Sequence, residues 1–270
     1  GTQAESSLTF SGPDGWRFET PYGPSNELVD VLERARLVPR PVGWAVAGEI
    51  GVRRDLIAER RVAVAAPVDE GFRRQDILAF LRWTLPALVD VFPDFSERLL
   101  IVGGGRAMWR GGLSAPASLY LHPDRPLISG NGTSTLVHEL VHVAAAATEG
   151  ERDDWLVEAI AEYYSLELLR RTGGISQRRF EGALKALEDW AAREGGQLAN
   201  PSTGADTAFA TLLLHELAGT LEERGQSLDV LVQDLLKQGL NSAALSAGLA
   251  RLGVEADFPL PGPEASGVAE

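Results

Sequence analysis

The sequence predicts an α+β protein: a β-rich N-terminal part, a small mixed sheet, and then a helical bundle. Three observations carry that expectation. Short β-patterned runs divided by turn residues fill residues 8–62. Strand patterns at 61–67, 99–105 and 117–121 surround a single helix-patterned segment at 74–91, in β-α-β-β order. From about residue 134 onward, apolar positions recur at helical spacing through six successive segments.

Each element has a local reason. LTFSGPDGWRFETP sets Pro13-Asp14-Gly15 between two extended runs, a hairpin signal. NELVDVLERAR (26–36) is patterned as one amphipathic helix, and VGWAVAGEI (42–50) is strand-like. Within 74–91, Pro86 removes a backbone donor and is expected to kink or break the helix. LLIVGGG (99–105) reads as a buried strand running into glycines. Asn131-Gly132 turns the chain, and Thr133-Ser134-Thr135 offers N-caps for the first bundle helix. The helices are expected at 134–147, 154–171, 176–193, 205–224, 227–237 and 241–251. The organisation is then a β-rich segment over 1–60, a domain over 61–255 and a flexible tail over 256–270, where Pro, Gly and Ala accumulate.

Composition narrows the function. The 270 residues are 44% hydrophobic, enough for one large core or two smaller ones. Against 25 Lys+Arg stand 38 Asp+Glu, a formal net charge of −13. Nucleic acid and anionic membrane surfaces are therefore poor partners, and no basic run overrules the average. No apolar run reaches the length of a membrane span. With no cysteine, disulfides, thiolate metal sites and cysteine nucleophiles are excluded, so any metal is held by His and carboxylate. The chain starts Gly1-Thr2-Gln3, which suits a mature form with a polar tether behind a removed targeting segment, or a cloning scar. Export to the periplasm or cell envelope is the expectation; a cytoplasmic location stays open. Nothing sets the oligomeric state.

The chemistry concentrates in LVHELVHVAAAA (136–147). His138 and His142 are four apart on a helix and so share one face, one turn above the other. Two imidazoles so spaced can ligate one zinc ion, and Glu139 beside the first suits the general base of an H-E-x-x-H site. The bland alternative is a chance match on a buried apolar helix. A catalytic zinc needs a third protein ligand, and DWLVEAIAEYYS (154–165) supplies Glu158 and Glu162, again four apart. One can ligate while the other supports a ligating histidine. The competing reading of that pair is a solvated acidic stripe.

The paired segments HELVH and WLVEAIAEYYS resemble the gluzincin metallopeptidases, the thermolysin-like and aminopeptidase-N-like superfamily, and the upstream likeness extends more loosely to glycyl-aminopeptidase-like members. The resemblance covers roughly residues 60–250 and implies a zincin-like catalytic domain. Trp155 to Tyr163 match the family run W-L-x-E-G-x-A-E-Y, with Ala159 at the usual Gly. By that resemblance Glu158 is the third zinc ligand, and Glu162 hydrogen-bonds a ligating histidine. GGLSAPASLYL (111–121) sits where the family places a sheet-edge strand that aligns extended substrate, so Ala117, Ser118, Leu119 and Tyr120 are expected to be that edge. The chain departs from the pattern twice. No glutamate stands at the family's amine-binding G-A-M-E-N stretch, and DTAFATLLLHEL (206–217) has Phe209 where a tyrosine would stabilise the oxyanion. Tyr163, Tyr164 and His215 are the substitute candidates.

The implied activity is hydrolysis of a peptide or protein substrate. Zinc on His138, His142 and Glu158 would activate water, and Glu139 would move the proton. A second reading is a zincin fold that hydrolyses little and serves as a binding or scaffold module. Other features carry less. Gly103-Gly104-Gly105 lacks the lysine and serine or threonine of a phosphate loop, and His122 reads as a surface-loop histidine.

Overall fold

The computed structural model describes residues 6–24, 29–31, 41–105, 110–145 and 152–254. These fold as two compact units. One comprises Gly1–Pro86 with Asp94–Leu127, the other Ala87–Pro93 with Ile128–Glu270.

Among the described residues the first unit holds all the strands: β1 (Ser6–Leu8), β2 (Arg17–Thr20), β3 (Gly23–Pro24), β4 (Val29–Val31), β5 (Val46–Gly48), β6 (Ile50–Ile57) and β7 (Arg60–Pro67) come first. After helix α1 (Arg74–Val91) follow β8 (Arg98–Gly103), β9 (Gly112–Ala115) and β10 (Ser118–Leu121). The principal sheet is five-stranded and mixed, in the order β6-β7-β8-β10-β9. β6 and β7 form an antiparallel hairpin, β8 runs parallel to β7 and β10, and β9 returns antiparallel on β10. Ile50, Ala65, Leu100 and Val102 make a buried cluster, joined by Trp44, Val46, Val52 and Ala63. β3-β2-β5 form a second, three-stranded sheet, and β1 pairs with β4.

Several expectations change here. Val29–Val31 is a strand rather than part of a helix, because the Val-Asp-Val alternation finds a partner in β1. The remainder of that expected helix, 26–28 and 32–36, lies outside the described residues, as does the tail at 256–270. The boundary placed at residue 60 falls inside the β6–β7 hairpin, whose eight register pairs keep both strands in one sheet. Pro86 does not end α1, which continues for five more residues with Leu85 and Leu88 buried on either side of it. Pro86 instead marks where the two units divide. The segment 117–120 is no sheet edge: β10 lies between β8 and β9, and Ala117 occupies the preceding turn at φ 52°. β9, which pairs with β10 alone, is the edge strand on that side of the sheet.

Among its described residues the second unit holds α2 (Thr135–Ala145), α3 (Asp154–Arg171), α4 (Gln177–Glu194), α5 (Ala205–Glu223), α6 (Leu228–Gln238) and α7 (Ser242–Arg251). Their ends follow local signals. Ser134 Oγ accepts from Val137 N at the start of α2. Ser176 and Asn241 cap α4 and α7, and Gly195 closes α4 in the left-handed region that favours glycine. Among the described residues no helix is long and apolar enough to cross a membrane.

Candidate metal centre

α2 is an apolar helix with one polar strip. Leu136, Val137, Leu140, Val141 and Val143 are buried, while His138, Glu139 and His142 stay half-buried on the remaining face. α3 shows the same logic more sharply. From Trp155 to Leu169 every residue is buried except Glu158 and Glu162. A helix apolar around most of its circumference belongs in an interior, so this pair is no solvated acidic stripe.

The two polar strips meet. His138 Nε2 and His142 Nε2 are 3.0 Å apart. Glu158 places Oε1 3.3 Å from His142 Nε2 and Oε2 3.6 Å from His138 Nε2. On its other side His138 Nδ1 donates to Glu162 Oε2 at 3.0 Å. Burial disfavours the imidazolium of His138, but hydrogen bonds to Glu158 and Glu162 outweigh it and raise its pKa to about 10. Burial likewise works against the Glu158 carboxylate, yet bonds from His138 and His142 hold it down at about 2.

The donor set fits a zinc ion. Ligands at about 2.0–2.1 Å in a tetrahedron stand roughly 3.3–3.4 Å from one another. The two Nε2 atoms are 3.0 Å apart, and the Glu158 carboxylate faces both, with one oxygen 3.3 Å from His142 and the other 3.6 Å from His138, so the three side chains lie near that spacing. His138, His142 and Glu158 are the cluster of metal-ligating side chains found among the described residues. Two nitrogens and a carboxylate oxygen are donors that zinc accepts, and three protein ligands leave one position open. Glu139 adjoins His138 on the helix, and its carboxylate has no hydrogen-bond or ionic partner among the described residues.

The three candidates for oxyanion stabilisation point elsewhere. At about 100° per residue, Tyr163 and Tyr164 project some 140° and 120° around α3 from Glu158. Tyr164 Oη donates to Asp229 Oδ1 at 2.8 Å, and its ring packs on Phe92. Tyr163 and His215 line a cavity of ≈ 520 Å³ with Glu167, Arg170 and Phe180, and none of the three candidate ligands borders it. Burial pushes the Tyr163 phenol up, with Glu167 adding to the effect, and burial pushes the His215 imidazole down.

The architecture matches solved structures. An aminopeptidase N family protein from Idiomarina loihiensis superposes with a TM-score of 0.63 at 15% identity, over 87% of this chain and 50% of that one. The fold is that of the zinc aminopeptidases. A mutant of an M1 zinc metallopeptidase from Deinococcus radiodurans matches at TM-score 0.52 and 15% identity, over 93% of this chain and 59% of its own. A two-domain zinc metallopeptidase mutant bound to L-arginine matches at TM-score 0.54 and 15% identity, covering 97% and 63%. The chain thus spans only 50–63% of the length of these zinc-aminopeptidase-fold structures. No family model and no curated protein matches the sequence.

The residues around the centre that sequence reasoning missed are Asp153, Asn200 and Ser242, which contact the first turn of α3. Asn200-Pro201 is visible as a turn signal, but no local pattern pairs it with Trp155, forty-five positions away.

Proposed function

We propose that this chain is a zinc-dependent peptide hydrolase in which His138, His142 and Glu158 hold the ion and Glu139 is the general base. The observation that supports the reading is the convergence of His138, His142 and Glu158, each offering one ligand atom, with these atoms all within 4.8 Å of one another. When bound, zinc supplies Lewis acidity, polarising a carbonyl and acidifying water. The protein does the rest. Glu162 holds the Nδ1 proton of His138 and so leaves the Nε2 lone pair available to the ion. Glu139 accepts the proton of the attacking water and delivers it to the leaving amine nitrogen.

The substrate is an extended peptide. No amine-binding glutamate occupies the stretch 111–118, so cleavage within a chain is as well served as removal of its first residue. Export to the cell envelope belongs to the same proposal.

The test is metal analysis followed by cleavage of a peptide library. Wild type should carry one zinc per chain and cut, and Glu139→Gln should keep the zinc and lose cutting by about 10²-fold or more. Wild type that cuts nothing overturns the enzyme reading. One observation favours a second reading. Tyr163, Tyr164 and His215, the three candidates for steadying an oxyanion, are engaged away from the centre. A zinc-loaded but inactive wild type that retains a bound peptide would support a binding module instead.

A further inference from the structure

The start of α3 is held by an exchange of helix caps. Asp153 occupies the N-cap position of α3 but makes no side-chain cap bond to it. Its Oδ2 accepts instead from Ser242 N at 2.7 Å and Ser242 Oγ at 2.5 Å, at the first residue of α7. The Asp153 main chain joins the same segment, its N donating to Leu240 O at 2.7 Å. Trp155, almost wholly buried, donates from Nε1 to Ser242 Oγ at 3.3 Å. The backbone donor of α3 that Asp153 neglects is satisfied from a third segment: Trp155 N donates to Asn200 Oδ1 at 3.1 Å. Asp154 Oδ2 returns the tie by accepting from Ser202 N at 2.7 Å.

An aspartate at an N-cap would stabilise its own helix by about 1 kcal/mol with no help from elsewhere. The exchanged arrangement does what a local cap cannot. It ties the first turn of α3 to α7 and to the 200–202 segment, and so fixes α3 along its own axis. Glu158 lies three residues, less than one turn, beyond Trp155. A slide of α3 by a single residue is about 1.5 Å, whereas a working site tolerates displacement of about 0.5 Å. Glu158 sits within 3.3 and 3.6 Å of two imidazole nitrogens on another helix, so its axial height decides whether three donors converge.

We propose that Asp153, Asn200 and Ser242 are positioning residues that set the height of Glu158 against His138 and His142, and through it the zinc affinity of the centre. This rests on the zinc reading given above. Two substitutions at one position separate positioning from general stability. Asp153→Glu keeps the charge and both acceptor oxygens but lengthens the strut by one methylene. Asp153→Asn keeps the length and an acceptor oxygen but loses the charge.

The experiment uses the full chain, stripped of metal and titrated with zinc against a chromophoric chelator. Cobalt(II) is loaded in parallel and its visible spectrum recorded, with far-ultraviolet circular dichroism as the control for helix content. Asp153→Glu and Asn200→Ala should weaken zinc about 10- to 100-fold and change the cobalt spectrum. Asp153→Asn should stay close to wild type. Zinc affinity and cobalt spectrum unchanged in both Asp153→Glu and Asn200→Ala would overturn the proposal, as would Asp153→Asn weakening zinc as much as Asp153→Glu does. The wild-type titration stands apart from these comparisons: if wild type takes up no stoichiometric zinc, the zinc reading itself fails.

Discussion

His138 is shared between two carboxylates, and that sharing governs how the centre responds to protons. In the metal-free protein its pKa is raised from about 6.5 to about 10, chiefly by hydrogen bonds to Glu158 and Glu162 against the opposing effect of burial. A raised pKa means that the protonated form stabilises the fold. That contribution is complete below about pH 6.5 and is lost as the pH climbs towards 10. Zinc needs the neutral ring, so it must displace this proton. Zinc affinity is therefore expected to rise roughly tenfold per pH unit between about pH 7 and about pH 9. Calorimetric titration in buffers of different ionisation enthalpy should show about one proton released per zinc at neutral pH. An affinity flat across that range would contradict the shared-proton geometry. Glu158 contributes no slope there, because its pKa is lowered to about 2 and its stabilising effect is lost only as the pH falls from about 4.5 towards that value.

Elements in this chain were legible in proportion to how local their causes are. The six bundle helices follow apolar spacing and caps such as Ser134 and Ser176, so their ends agree with the sequence reading to within about one residue, except that the expected end of the first at 146–147 lies outside the described residues. Strand order is a different matter. The sequence holds the β10 pattern but not its two neighbours, and so the sheet edge was expected one strand too late. Gly103 makes the point at a single position. In the sequence it opens a run of three glycines before a loop. In the fold it ends β8 beneath Phe72, and a Cβ placed there would come within 2.6 Å of that ring. Phe72 is itself buried and has little room to retreat. Gly103→Ala should destabilise the first unit by about 1–3 kcal/mol, visible as a lowered denaturant midpoint with the slope unchanged. A neutral substitution would mean that the ring moves freely.

For the whole molecule, a zinc ion held as proposed would link two helices that are consecutive in the chain, α2 and α3. His138 and His142 belong to α2 and Glu158 to α3, all within the second compact unit. A ligand that binds only the folded form stabilises it by mass action, about 2.7 kcal/mol at a free concentration one hundred times its Kd. Thermal unfolding of the second unit should therefore move upward with zinc and return with chelator. His138→Ala should abolish the shift. If the first unit unfolds in a separate transition, that transition should not respond, since none of the three proposed ligands belongs to it.

The grouping of side chains at the candidate centre could be read from the sequence because it rests on helical periodicity. His138 with His142, and Glu158 with Glu162, are pairs four residues apart, and a helix turns each pair onto one face whatever surrounds it. The absence of cysteine and the acidic balance followed from composition alone. Only the tertiary structure decided which face meets which. It set Glu158 between the two imidazoles and Glu162 behind one of them. It turned Tyr164 to Asp229 and His215 into another cavity, and it capped α3 from Asn200, forty-five residues beyond Trp155. Those pairings have no period in the chain. They arise when apolar faces pack, and packing is decided by the volumes of many distant side chains at once rather than by any local pattern.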